Sequence, residues 1–310
     1  MAKATKKKAT NRGDLIFYSV LMIWPLAQFA IFYVFVNFNS ILYAFSKYGA
    51  DGSRTMTFSY LVDNIRSFVS SVNVGGKNVL GPAVVRSVMG WAISTGISVP
   101  LGLLFSYYIG RKMLGAGAFR VILFLPSVIC VLVSVYVFNT FMSDALVMIC
   151  KDFLGKDIGN LLDPVNKSAF KYVLMFKIWI GFGTSVLMFS NSVSEISPDI
   201  LEAGKIDGAS AFAEFWHLVL PGVYPTLTVF LISGVANILL DQFELFSFYG
   251  WQSGSLNTVG YLLYVKSASA NGLKSQYPPI AAFGMLLTAI AVPTTLGVKY
   301  YLEKIGPKEI

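Results

Sequence analysis

One histidine, His217, and two cysteines, Cys130 and Cys150, are all the imidazole and thiol groups that 310 residues offer, so a His-based metal site is excluded. The cysteines have neither a metal-site spacing nor the number a disulfide framework needs. Cys130 lies in an apolar run and is expected to be a buried small hydrophobe. Charge is scarce as well: 13% of residues are charged and 55% are hydrophobic, which excludes an ordinary soluble domain. There is no P-loop, no carboxylate pair on one helix face and no nucleophile elbow, so the chain is not expected to hydrolyse a nucleotide itself. The formal charge of +8 comes with no basic, aromatic-interleaved face. Nucleic acid is therefore not expected as a partner, and anionic membrane lipid accounts for the charge more simply.

What the sequence has in abundance is long apolar runs. Residues 15–46, 87–110 and 121–143 carry no charge, and further runs cover about 172–194, 222–241 and 278–298. A membrane span needs about 20 apolar residues, so these read as six spans of an all-α polytopic protein. The first run is too long for a signal-peptide core and has no small-residue cleavage site, so it counts as a span. Residues 1–13 form a basic tail, and 14–310 read as one membrane domain. The tail and the basic turn of Arg111, Lys112 and Arg120 place both termini in the cytoplasm. Over the whole chain the basic residues divide evenly between the two sides, so orientation rests on those two short segments. Residues 47–82, with Gly49, Gly52, Gly75, Gly76 and Gly81, read as external, as does the stretch holding Asp144, Lys151, Asp152, Lys156, Asp157 and Asp163.

The most polar internal stretch runs over about 195–222, between the fourth and fifth spans. Ser197 suits an N-cap, Pro198 the first helical position and Asp199 the positive end of the helix dipole. That helix is expected to reach about Asp207, Gly208 to allow a turn, and Ser210 to cap a second helix. Phe212, Phe215, Trp216 and Val219 then fall at i, i+3, i+4 and i+7 as one apolar face, with Pro221 closing the segment. Glu195, Asp199, Glu202, Asp207 and Glu214 outnumber Lys205, which suits a docking knob; periodicity alone fits a solvated loop equally well.

Glu202-Ala203-Gly204, Asp207-Gly208-Ala209, then Phe215, Leu218, Leu220-Pro221 and Pro225 resemble the EAA loop of ABC-importer permeases. The match fixes residue types at about ten positions in roughly two dozen. Gly204 departs from the family's usual alanine, which bears on the stiffness of the first helix. Residues 177–183, running into Ser197-Pro198, resemble the fourth core span of carbohydrate-importer permeases. Ile206-Asp207-Gly208-Ala209 is similar to the sugar-type rather than the polyamine-type spelling. Phe243-Glu244 with Thr258, Tyr261 and Tyr264 resembles the first permease of maltose and polysaccharide importers. The likeness covers residues 84–305 and is weak over 47–82.

That resemblance implies the six-helix fold of type I ABC-importer permeases in a bacterial cytoplasmic membrane. It implies that Glu202, Ala203, Gly204, Asp207, Gly208, Ala209, Leu220 and Pro221 form the element that docks in a cytoplasmic ATPase. It also implies a second homologous permease, two ATPase subunits and an external sugar-binding protein. This chain would bind no cofactor, and ATP and Mg would sit on the ATPase. A sugar path needs hydroxyl-bonding groups and aromatic faces. Candidates are Trp179, Gly181 and Thr184 in span four, Ser233 and Asn237 one turn apart in span five, and Tyr136 with Asn139 in span three. Each also fits a helix–helix hydrogen bond or an interfacial aromatic. Lys177 reads as a snorkelling or paired cation near the outer interface. The alternatives are the same architecture carrying another solute such as polyamine, or a stand-alone carrier. Asp241 and Glu244 lie near a span end, which disfavours a carrier with a midplane carboxylate.

Overall fold

The computed structural model describes residues 12–307 apart from 50, 75, 157 and 167. Residues 1–11 of the expected basic tail thus lie outside the described residues. In chain order, α1 (Ile16–Ala44) leads to a ribbon of β1 (Ser46–Tyr48) and β2 (Arg54–Met56), then α2 (Tyr60–Ser71). A second ribbon, β3 (Asn73–Val74) with β4 (Lys77–Asn78), precedes α3 (Leu80–Gly110), α4 (Ala116–Val128) and α5 (Val131–Leu154). Next come α6 (Ala169–Glu195), α7 (Pro198–Ile206), α8 (Ala211–Asn237), α9 (Leu245–Tyr249), α10 (Val259–Ser269) and α11 (Lys274–Ile305). Six of these, α1, α3, α5, α6, α8 and α11, are long and apolar enough to cross a membrane. The fold is the expected all-α, six-span type, with two short antiparallel ribbons.

Two compact units divide the chain. The first comprises Met1–Phe68 and Gly272–Met285. There the buried Asn64 amide donates to the carbonyls of Ala44 and Ser46, each at 2.9 Å, and Phe68 stacks on Phe283 at 4.1 Å. The second comprises Val69–Asn271 and Leu286–Ile310 and holds α3 against α6. Small residues let neighbouring helices close up: a Cβ on Gly102 of α3 would touch the Phe189 ring of α6, and one on Gly183 of α6 would overlap the Leu123 carbonyl of α4. Close approach through glycine is how helices gain packing where lipid gives no hydrophobic drive. One apolar core gathers Phe138, Phe176, Phe243, Leu245 and Leu256; another gathers Leu103, Phe189, Val193, Leu201, Val219 and Val223.

The third apolar run does not form a single rod over 121–143. Ile129 and Cys130 are extended, with ψ of 141° and 131°, so the chain breaks into α4 and α5 a few residues past Pro126. Helix then continues to Leu154, taking in Asp144, Lys151 and Asp152, which the polar pattern assigned to a loop. It stops where Gly155 turns left-handed at φ +62°. Cys130 is exposed, not buried, because it sits at the restart of α5, outside the packed faces of both helices.

Candidate functional site

The loop between α6 and α8 is built by local chemistry. Pro198 occupies the first turn of α7 and Asp199 adds its charge there, although the Ser197 side chain makes no cap bond. The far end of α7 closes by a paired motif: Gly208 N–H donates to the Lys205 carbonyl at 3.1 Å and Ala209 N–H to the Gly204 carbonyl at 2.9 Å. This six-to-one and five-to-two pairing requires a left-handed residue, and Gly208 supplies it at φ +80°. Ser210 Oγ then accepts from Ala213 N–H and caps α8. Gly204 has its own reason: a Cβ there would stand 2.7 Å from Leu218 Cδ1, so the missing methyl brings α7 against α8.

Pro221 does not close the segment. The helix begun at Ala211 widens into a π turn over Phe215–Val219 and runs on through Pro221 and Pro225 to Asn237. A π turn shifts the hydrogen-bond register by one, so the missing proline donor falls beside an already rearranged turn. The same shift splits the expected apolar face. Val219 is buried and Phe215 half-buried, whereas Phe212 and Trp216 stack on each other in the open at 6.3 Å.

Glu195, Asp199, Glu202 and Asp207 are exposed as a docking knob requires, together with Ala203 and Ile206. Glu214 is not part of that surface. It is 3% exposed and faces inward, because α8 turns its first apolar stripe toward the end of α3. Arg111 holds it through Nε to Oε1 at 3.1 Å and a second guanidinium donor to Oε2 at 3.2 Å. The Tyr107 hydroxyl donates to Oε1 at 3.0 Å, and its ring meets Phe215 edge-on at 5.5 Å. A fork-to-fork pair with a third donor is the strong form of such a contact. It ties the loop to α3.

At the other end of α8 lies a cavity of about 430 Å³, within the range of small-molecule sites. Three helical faces line it. On α3 they are Trp91, Ser94, Thr95 and Ser98, at i, i+3, i+4 and i+7. On α6 they include Lys177, Gly181, Thr184, Ser185 and Met188, on α8 Phe230, Gly234 and Asn237, and just past the end of α8 Asp241. Gly234 lies against Trp91, whose indole nitrogen would stand 2.8 Å from a Cβ at that position. The Lys177 ammonium pairs with Asp241 Oδ2 at 3.0 Å, as expected of a paired cation, and the same carboxylate accepts from Phe243 N–H at 2.8 Å.

Of the sequence-predicted path residues, Gly181, Thr184 and Asn237 lie on this wall. Trp179 lies off it, stacked near Phe138 at 6.3 Å, because two residues before Gly181 is about 200° around a helix. Ser233 stands one residue aside from the Gly234 face, and its carbonyl accepts from the Asn237 amide at 2.9 Å. Tyr136 is 72% exposed on α5, and Asn139 accepts from Ser143. The contribution of α3 escaped the sequence reading, although four polar or aromatic residues on one face of a charge-free run mark it.

Fold and site together define a six-span membrane protein whose polar loop is joined by one unbroken helix to a hydroxyl-rich cavity. Residues 98–305 match the family described as "Binding-protein-dependent transport system inner membrane component". The chain belongs to that family, and is accordingly a transport component of a membrane and not an enzyme. It is 22% identical over 287 residues to the multiple sugar-binding transport system permease protein MsmF of Streptococcus mutans, covering 90% of this chain and 92% of that one. It is 25% identical over 212 residues to the arabinooligosaccharides transport system permease protein AraP of Bacillus subtilis, 64% of each chain. Among solved structures it is similar to a chain of a bacterial ABC transporter involved in the import of the acidic polysaccharide alginate, with TM-score 0.74 and 17% identity over 96% of this chain and 98% of that one. At that identity the likeness is one of fold.

Proposed function

We propose that this chain is one permease subunit of an ATP-driven importer that moves an oligosaccharide across a bacterial cytoplasmic membrane. The observation that carries the reading is the continuity of α8, which starts in the loop at Ala211 and ends on the cavity wall at Asn237. Such a rod turns a displacement of the loop into a displacement of the cavity wall. The names of MsmF and AraP, which point to sugars, support the substrate class. A polycation is disfavoured because Asp241, the one carboxylate among the described residues that line the cavity, is already paired with Lys177.

In this reading a second homologous permease completes the path, two ATPase subunits carry ATP and Mg, and an external binding protein delivers the sugar. Membrane lipid surrounds the spans, and nucleic acid has no part. Glu202, Ala203, Gly204, Asp207, Gly208 and Ala209 form the ATPase-facing knob, with Leu220 and Pro221 at its root. Gly181, Thr184 and Asn237 line the path on this chain, with Trp179, Ser233 and Tyr136 on neighbouring surfaces open to the second permease. ATPase closure rocks the knob between two states, and the energy comes from the partner. Proteoliposomes holding all the subunits should accumulate labelled oligosaccharide only with internal ATP. Uptake without the ATPase, or accumulation of a polyamine in place of sugar, would overturn the proposal.

The orientation has its own test. In a background where Cys130 and Cys150 are alanine, single cysteines at Gly52 and Gly272 should react with an impermeant thiol reagent in intact cells, and one at Gly208 should not. Those three positions lie in polar segments separated by apolar spans, which a charged reagent does not cross. External labelling at Gly208 would invert the topology.

A further inference from the structure

We infer that the cavity between α3, α6 and α8 selects an uncharged saccharide, and that the Lys177–Asp241 pair enforces this. The inference rests on the oligosaccharide reading and narrows it to a substrate class. Among the described residues that line the cavity, Lys177 is the one cation and Asp241 the one anion, and they neutralise each other at 3.0 Å. Asp241 Oδ1 also accepts from Lys177 Nζ at 3.2 Å and from Phe243 N–H at 2.8 Å, so both carboxylate oxygens are engaged. The ammonium in turn lies 5.9 Å from the centre of the Phe243 ring. This is a finished ion pair with about a third of each side chain exposed, not a free cation waiting for a ligand.

A uronic acid brings one carboxylate per sugar into a space of falling dielectric. It would need an unpaired cation there, and Lys177 is already engaged by Asp241, so its desolvation goes uncompensated on this chain. Rejection through an uncompensated charge is an effective form of selectivity. A neutral sugar meets no such penalty. The Ser94, Thr95, Ser98 and Thr184 hydroxyls and the Asn237 amide are groups that pair with sugar hydroxyls, and all five line the same space. Selectivity of this kind separates the chain from its structural relative that handles alginate, which is described as an acidic polysaccharide.

The experiment uses the complete importer with its binding protein in proteoliposomes. The probes are a panel of oligo-uronates and the same oligosaccharides after chemical reduction of each carboxyl to an alcohol. Within each pair the sugar rings and linkages are the same, and one member carries a carboxylate where the other carries a neutral CH2OH. Wild type should take up the reduced, neutral member at least several times faster, and equal or faster uptake of the uronates overturns the inference. Two variants locate the effect in this chain, because the binding protein is the same in all of them. Asp241→Asn leaves Lys177 uncompensated and should raise the uronate-to-neutral uptake ratio by about tenfold, the factor that corresponds to 1.4 kcal/mol. Lys177→Gln leaves Asp241 alone and should lower that ratio. A ratio unmoved by both variants, or moved in the opposite directions, also overturns it. If no saccharide of either set enters while another solute does, the oligosaccharide reading itself fails, an outcome distinct from uptake without charge preference.

Discussion

Glu214→Ala should destabilise the loop end of the second unit by about 3 kcal/mol, the low end of what breaking a buried pair costs. The low end applies because Arg111 keeps 21% of its side chain exposed and can turn toward water, whereas Glu214 keeps 4%. Removing the carboxylate strands the guanidinium and takes the acceptor from the Tyr107 hydroxyl. Removing both partners is a different matter. Arg111→Met with Glu214→Leu leaves no orphan charge, and the double variant should recover most of the loss, giving a coupling energy of roughly 1–3 kcal/mol. Denaturant unfolding of the detergent-solubilised chain, followed for wild type, both singles and the double, reads this directly. Strictly additive effects would show that the contact, though short, carries no energy. A second readout separates anchoring from bulk stability. At temperatures where Glu214→Gln remains folded, it should lower sugar-stimulated ATP hydrolysis, because the carboxamide keeps the Tyr107 bond and loses the fork to Arg111.

The loop was legible in the sequence because its determinants are local. Pro198, Asp199, Gly208 and Ser210 act on backbone groups within four residues of themselves, and each forms the predicted turn or helix end, apart from the absent Ser197 cap. What failed to read through was either distant or a matter of register. Glu214 and Arg111 are 103 residues apart, so nothing in either segment announces the other, and an acid beside four exposed acids looks like a fifth. Pro221 looks like a terminator until the π turn before it is known, and a one-residue register shift then moves Phe212 and Trp216 out of the packed stripe. The break at Ile129 and Cys130 has the same character, since an apolar run shows where a span can be, not whether its backbone is continuous. The cavity was half legible. Thr184 and Asn237 stood out as polar groups in spans four and five, while Ser94, Thr95 and Ser98 were present at helical spacing and went unread.

The other large effect is expected at Gly208, and there the structure separates two causes that a single substitution would confound. Its φ of +80° is needed for the bonds from Gly208 and Ala209 that end α7. A residue with a side chain there costs roughly 1–2 kcal/mol of backbone strain, with Asn among the few that tolerate the left-handed region. Yet a Cβ at Gly208 meets nothing within 4 Å in this chain. Volume at that position is therefore harmless to the subunit alone and matters only if another surface closes over it. Gly208→Ala tests the backbone, Gly208→Asn adds volume with little strain, and Gly208→Leu adds both. If the loop docks in the ATPase, sugar-stimulated hydrolysis and uptake should fall together in Gly208→Leu by an order of magnitude or more, equivalent to at least about 1.4 kcal/mol. Gly208→Asn should fall further than Gly208→Ala. Membrane abundance should stay near wild type in all three, since the turn lies outside the apolar cores. Glu202→Lys, which reverses an exposed charge on the same knob, should weaken ATPase binding in a way that high salt relieves. The deciding measurement is stimulated ATP hydrolysis of the reconstituted complex with binding protein and sugar. Full hydrolysis in Gly208→Leu and Gly208→Asn would mean that nothing closes over the turn, and the knob would then be an ordinary solvated loop.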